Sequence, residues 1–272
     1  MVFLLAPHVA SSKFLFSILK LYMASEFDID KNDLYEILSK KGINNLFHAN
    51  TISTSITFLN EKNLLSRKYV EDNNLFQTPQ YTDNKDKRYG IWDDIFLDAI
   101  DIHTEFRRPN NYGPFLFSFD LDILKSDLVK TIRITKVNPS KWDKYPLEND
   151  RYYSDLNQFD DNYRKGNKLK DVGSMFILKD INGKLPLLPY SNRFILDNPN
   201  LVVNYNNEKK VLADILTEKI DSILLANNFG DVTKELRHKH NFFNCTCWPK
   251  YNSFLLYNFS ELKRLFHPTP NK

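Results

Sequence analysis

An α+β fold is what the sequence predicts, one domain over residues 1–272 with a helical N-terminal extension over residues 1–43. Three observations lead there. Short β-rich runs are scattered along the chain, and Tyr112-Gly113-Pro114-Phe115-Leu116-Phe117-Ser118-Phe119 is the clearest buried strand among them. Helical apolar spacing recurs between these runs, over 30–41, 54–63 and 208–227. No shift in composition, internal repeat or low-complexity block marks a boundary, so strands and helices are read as one unit.

Composition sets the outer limits. With 272 residues, 42% of them hydrophobic and 14% aromatic, the chain has enough apolar surface to bury a sizeable core. The 37 basic and 34 acidic residues leave a net charge of only +3, so no global field demands nucleic acid. The apolar start Met1–Ala6 lacks a positive leader and is interrupted at Lys13, and no window reaches the roughly 18 apolar residues of a membrane span. Cys245 and Cys247 stand one residue apart, a spacing too cramped for an easy disulfide, which predicts a reduced, cytoplasmic protein. The seven glycines, at 42, 90, 113, 166, 173, 183 and 230, are all too far apart to form a dinucleotide fingerprint or a phosphate loop.

Taken in order, residues 12–24 and 30–41 predict a helical pair, with Asp30 or Asn32 capping the second helix and Gly42 stopping it. Residues 45–50 predict a strand, 54–63 a helix and Gln77 to Tyr89 a polar loop. Over 91–103, Asp94, Asp98 and Asp101 recur at i, i+4 and i+7 opposite Trp92, Ile95, Phe96, Ala99 and Ile102, which predicts a helix with an acidic face. Strands are expected near 112–119, 130–137, 174–178 and 193–196, with Asn182-Gly183 as a turn. Trp142 to Lys170 is polar and aromatic and reads as a long surface excursion, whereas Glu208 to Asn227 reads as one amphipathic helix.

The polar chemistry concentrates between Leu46 and His103. His48, Asn50 and Thr51 sit at a strand end, where alternate side chains share a face and an imidazole both donates and accepts; ligand binding and a structural hydrogen bond are both open to His48. Arg67 and Arg88 carry guanidinium forks suited to a pyrophosphate, or to surface pairing with Glu71, Asp83 or Asp86. Asp94, Asp98, Asp101, His103, Asp120 and Asp122 would serve a metal-dependent nuclease if they lined one cleft. His238, His240, Cys245 and Cys247 offer four zinc donors, but at spacings poor for tetrahedral closure, so no tightly bound metal is expected; a cysteine nucleophile with a histidine base is the other use of that tail. Trp92, Trp142, Trp248 and the tyrosines are expected in the core rather than stacked on bases.

The order of elements from residue 44 to residue 120 carries a resemblance. A strand with His48 followed by Asn50-Thr51, a helix, the turn Leu64-Leu65-Ser66-Arg67, a polar loop and a strand led by Tyr112-Gly113-Pro114 together resemble the nucleotide-binding half of ADP-ribosyltransferases, especially the DarT-type enzymes that modify nucleic acid. The resemblance implies a split β core, NAD as substrate and a macromolecular acceptor, nucleic acid before protein. It further implies a bacterial toxin or defence effector in a toxin–antitoxin setting, with an inhibitor protein as partner. By the same resemblance His48 and either Asn50 or Thr51 hold NAD, Ser66 and Arg67 lie near its phosphates or nicotinamide ribose, and Tyr112 sits close to the pocket. Such enzymes usually place a catalytic glutamate on a late strand or the loop before it. Here Lys170 to Met175 holds no glutamate, and Asp171 is the substitute. That departure keeps a second class in play, a non-catalytic nucleotide-binding module on a decayed transferase fold.

Overall fold

Local capping chemistry begins the fold. In the computed structural model, which describes residues 25–165, 172–237 and 245–268, α1 (Lys31–Lys40) starts where the Asp30 carboxylate accepts from the Asn32 and Asp33 amides. It stops at Gly42, whose φ of +74° lets the Ile43 amide fold back onto the Leu38 carbonyl at 3.0 Å. The helix expected over residues 12–24 lies outside the described residues. The chain then runs through β1 (Asn45–Asn50), α2 (Ile52–Glu61), β2 (Asn63–Leu65), α3 (Arg67–Asp72), α4 (Asp83–Arg88), β3 (Ile95–Leu97) and α5 (Ile102–Phe106). Next come β4 (Phe115–Asp120), β5 (Thr131–Ile134), α6 (Glu148–Arg151), α7 (Leu156–Asn162), β6 (Phe176–Lys179), β7 (Lys184–Pro186) and β8 (Ser191–Leu196). The hairpin β9 (Val202–Tyr205) and β10 (Glu208–Val211), α8 (Leu212–Ala226), β11 (Thr233–Leu236), α9 (Cys247–Tyr257) and α10 (Phe259–Phe266) complete the order.

The β core is split. One sheet has the order β1-β4-β8-β11, antiparallel except for the β8–β11 pair, and the other has the order β3-β6-β5. Phe117 of β4 faces His48 of β1 on one side and Phe194 of β8 on the other. Rings of Phe115, Phe117, Phe194 and Phe229 meet edge to face at centroid distances of 5.0 to 5.5 Å, which makes this sheet the heart of the core. The two sheets touch where Phe47 and Asp98 exchange backbone hydrogen bonds of 2.7 and 2.9 Å. Among the described residues no helix is long and apolar enough to cross a membrane.

Four expectations change. The acidic helix over 91–103 is a strand, a link and one short helix: Ile95 and Leu97 are buried while Phe96 faces the other way, and pairing with β6 outweighs the helical spacing of the aspartates. Residues 148–162 are helical in two short pieces, and this stretch is packed rather than a surface excursion: Tyr153, Phe159 and Tyr163 join the main core, while Trp142 and Tyr152 are buried in a second, smaller cluster with Phe27, Ile91 and Ile177. The segment 208–211 leaves the helix predicted there because Asn206 and Asn207, both at positive φ, turn β9 back onto β10. The polar loop 77–89 contains α4.

Candidate active site

Residues of both sheets, from β1 and from β3, line a cleft of about 1080 Å³, at the upper end of the usual range for ligand pockets. Its floor is β1. His48 and Asn50 are two residues apart on a strand and project to the same side. His48 Nδ1 lies 2.8 Å from the Phe96 carbonyl, which only accepts, so the proton sits on Nδ1 and Nε2 is left as an acceptor. The Asn50 amide nitrogen donates to that Nε2 at 3.3 Å, and its oxygen is fixed by the Thr51 amide at 2.9 Å. Desolvation beside the Phe58 and Phe117 rings pushes the imidazole down to about 4, and the Arg67 charge acts in the same direction. His48 is therefore a neutral hydrogen-bonding group with one fixed tautomer.

The end of β1 is held by a glycine. A Cβ on Gly113 would stand 2.0 Å from the Asn50 carbonyl carbon and oxygen and 2.3 Å from the Thr51 nitrogen, so only hydrogen fits there. That close approach brings the preceding residue, Tyr112, to the cleft wall. Burial pushes its phenol up to about 12, and it shares a hydrogen bond with the Asn138 side chain, so it stays protonated.

Arg67 also reaches the cleft, already engaged. Its Nη2 binds both Asp83 oxygens at 2.6 and 2.7 Å, Nη1 donates to the Thr78 carbonyl at 3.1 Å, and the guanidinium lies 5.4 Å from the Trp92 ring centre. Thr51 and Ser66, expected at the cofactor, do not line the cleft. Both are buried caps: Thr51 accepts from the Thr54 amide and meets the Thr78 hydroxyl at 2.7 Å, while Ser66 accepts from the Tyr69 amide and donates to Asp93 at 2.8 Å. Each starts a helix that the cleft needs, α2 under β1 and α3 under Arg67, so their contribution is to position rather than to touch.

Asp171 lies outside the described residues, although Val172, Gly173, Ser174 and Met175 directly after it line the cleft. Three other acids from distant segments do not line the cleft: Glu148 is exposed on α6, Asp155 caps α7, and Glu235 pairs with Arg193 at 3.0 Å. The carboxyl that sequence reasoning missed is Asp86 on the cleft wall. Burial pushes it up to about 6, against a hydrogen bond from Thr82, and the neighbouring Asp83 charge adds to the rise. In sequence it was one more charge in a polar loop, and only the fold of α4 turns it inward. Arg108, Lys136, Lys141, Lys165 and Lys250 bring positive charge to the walls from segments far apart in sequence. Arg88 stays on the surface, bonded to Asp143.

The acids suggested for a nuclease do not gather as a set. Asp94 and Asp98 both line the cleft, Asp94 tied to Lys179 at 2.8 Å, whereas Asp101 caps α5 and holds Arg237 at 2.6 Å, and Asp120 and Asp122 are exposed. Among the described residues the group with metal-binding spacing is instead His103, Cys245 and Cys247, all buried. His103 Nε2 is 3.5 Å from the Cys245 sulfur and 3.4 Å from that of Cys247, and the sulfurs are 2.7 Å apart.

No family model and no curated protein matches the chain. Three solved structures of Thermus sp. 2.9 DarT are similar to it, each at 9% identity. The complex with ADP-ribosylated ssDNA has a TM-score of 0.47 and covers 73% of this chain and 95% of its own. Those with NAD+ and carba-NAD+ have TM-scores of 0.43 and 0.41, each covering 72% of this chain and 96% of its own.

Proposed function

We propose that the chain is an ADP-ribosyltransferase that takes NAD as substrate and transfers ADP-ribose to a macromolecule, nucleic acid before protein. The observation that carries this reading is the neutral, tautomer-fixed His48 beside Asn50 on the floor of a cleft of about 1080 Å³, large enough for a dinucleotide. The Asn50 amide already donates to Nε2 at a long 3.3 Å, and ribose hydroxyls or a carboxamide would take its place there on binding, while Tyr112 supplies a permanent phenol donor at the wall. Cleft-lining cations suit the pyrophosphate and a polyanionic acceptor. Modification of nucleic acid fits a toxin or defence effector of the cytoplasm, restrained by an inhibitor protein.

The reaction breaks the bond between nicotinamide and ribose through an oxocarbenium-like centre, which a carboxylate must stabilise. Asp171 is assigned that role by sequence position, and among the carboxyls that line the described cleft, Asp86, Asp94, Asp98 and Asp161, we take Asp86 as the alternative. A second reading, a nucleotide-binding module without turnover, draws support from the missing glutamate between residues 170 and 175. Labelled NAD incubated with the protein and single-stranded DNA, RNA or protein in parallel separates these readings. Transfer to nucleic acid is expected, and the Asn variant of the true catalytic acid, Asp171→Asn or Asp86→Asn, should lose about 10²–10³-fold in turnover with little change in NAD affinity. If Asp86 is that acid, turnover falls as pH drops through about 6, where its carboxylate takes up a proton. NAD binding without transfer to any acceptor would establish the module, and absence of NAD binding would overturn both readings.

A further inference from the structure

We propose that His103, Cys245 and Cys247 bind a zinc ion that fastens the C-terminal helices α9 and α10 to the core. This site is separate from the cleft reading and stands on its own geometry. His103 comes from the first turn of α5, Cys245 and Cys247 from the entry to α9, and their ligand atoms all lie within 4.8 Å of one another. Only 5%, 4% and 1% of these residues is exposed, so a bound ion would be closed off from solvent, as structural zinc is.

Zinc bonds of about 2.3 Å to sulfur and about 2.0 Å to nitrogen, arranged tetrahedrally, set sulfur and nitrogen about 3.5 Å apart. The two observed separations, 3.5 and 3.4 Å, already have that value. The sulfurs, 2.7 Å apart, stand between a disulfide bond of about 2.0 Å and the roughly 3.8 Å of two thiolates on one zinc, so they must spread by about 1 Å as the ion enters. The one-residue spacing is no obstacle here, since the two side chains already converge with their sulfurs 2.7 Å apart. The Cys247 amide also donates to the Cys245 sulfur at 3.3 Å, which fixes that sulfur's position.

A second observation points to a metal independently. His103 donates its Nδ1 proton to Asp197 at 2.8 Å, which leaves Nε2 as the lone-pair nitrogen and directs it at the sulfurs. Asp197 is itself fixed, accepting from Arg237 Nε at 2.8 Å and from the Tyr251 hydroxyl at 3.2 Å. A carboxylate held by its own partners behind a histidine is how metal ligands are oriented. Two thiolates and an imidazole select zinc over calcium or magnesium. Binding transfers the two thiol protons to solvent, leaving the ion's charge balanced by two thiolates and Asp197 balanced by Arg237. The described residues supply three of the four tetrahedral positions.

The test uses the full chain purified without chelator. We expect one equivalent of zinc by elemental analysis. After chelation the chain should take up one equivalent of added Co²⁺, with thiolate charge-transfer absorption and both cysteines shielded from alkylation. Cys245→Ser, Cys247→Ser and His103→Ala should each lower metal affinity at least 100-fold, and Asp197→Asn about 10- to 100-fold with stoichiometry retained. Should these variants not fold, the wild-type Co²⁺ spectrum and alkylation pattern decide alone. A zinc-free chain that takes up no Co²⁺, or one whose cysteines are isolated as a disulfide, overturns the proposal.

Discussion

Two histidines of this protein are anchored through the same ring atom and end in opposite situations. His48 gives its Nδ1 proton to a backbone carbonyl, that of Phe96, and presents Nε2 to an open cleft next to the amide of Asn50. His103 gives its Nδ1 proton to a carboxylate, that of Asp197, and presents Nε2 to two sulfurs in a buried knot. A neutral partner only fixes the tautomer. An anionic one also makes Nε2 a better electron donor. The contrast shows that the partner behind an imidazole, more than the imidazole, separates a hydrogen-bonding group from a metal ligand, and that the two regions should fail in different ways.

Gly113→Ala is the sharpest way to break the cleft side alone. Its methyl group meets backbone atoms of Asn50 that have no room to give, so unfolding free energy should fall by at least about 4 kcal/mol, and NAD binding should be lost in any molecules that fold. Chemical denaturation and titration calorimetry check this, and wild-type values in both would show that β1 is not held in this way. Arg237→Met attacks the other region. It leaves Asp101 and Asp197 without their buried cation, which should cost about 3 kcal/mol while NAD affinity per folded molecule stays unchanged. A parallel loss of NAD binding would mean that the two regions are coupled.

The smallest effect concerns His48 itself. Its folded value of about 4 lies below the ordinary 6.5, so the unfolded chain takes up the proton first as pH falls, and stability declines between about 6.5 and 4 and is unaffected above. At pH 5 the decline from this group is about 1–2 kcal/mol, and His48→Gln should remove it. Magnetic resonance of the imidazole should show no titration between pH 5 and 8. A midpoint near 6.5 would place the ring in water and remove it from the cleft floor.

The helix starts and stops were the most legible features, because they depend on neighbours in sequence. Asp30 and Gly42 bound α1 as expected, and the strand with His48 and the strand after Tyr112-Gly113-Pro114 lie where apolar runs put them. Thr51 and Ser66 were singled out at a strand end and by the resemblance, and the capping role that their hydroxyls take in the fold was not read from the sequence. Asp86 was illegible because its burial depends on which wall α4 forms.

Alternation and capping are short-range, and from them the sequence by itself determined the α+β class, the strands β1, β4, β5, β6 and β8, and the pairing of His48 with Asn50 on one face. Its glycine spacing also excluded a phosphate loop. Only the tertiary structure decided that residues 95–97 are a strand, since the competing helical pattern loses to backbone pairing with β6, a partner about 80 residues away. It alone brought His103 to Cys245 and Cys247 across 142 and 144 residues, and Asp197 and Arg237 behind them. No periodicity carries such a contact, because the free energy that closes it comes from burying surfaces of several distant segments at once.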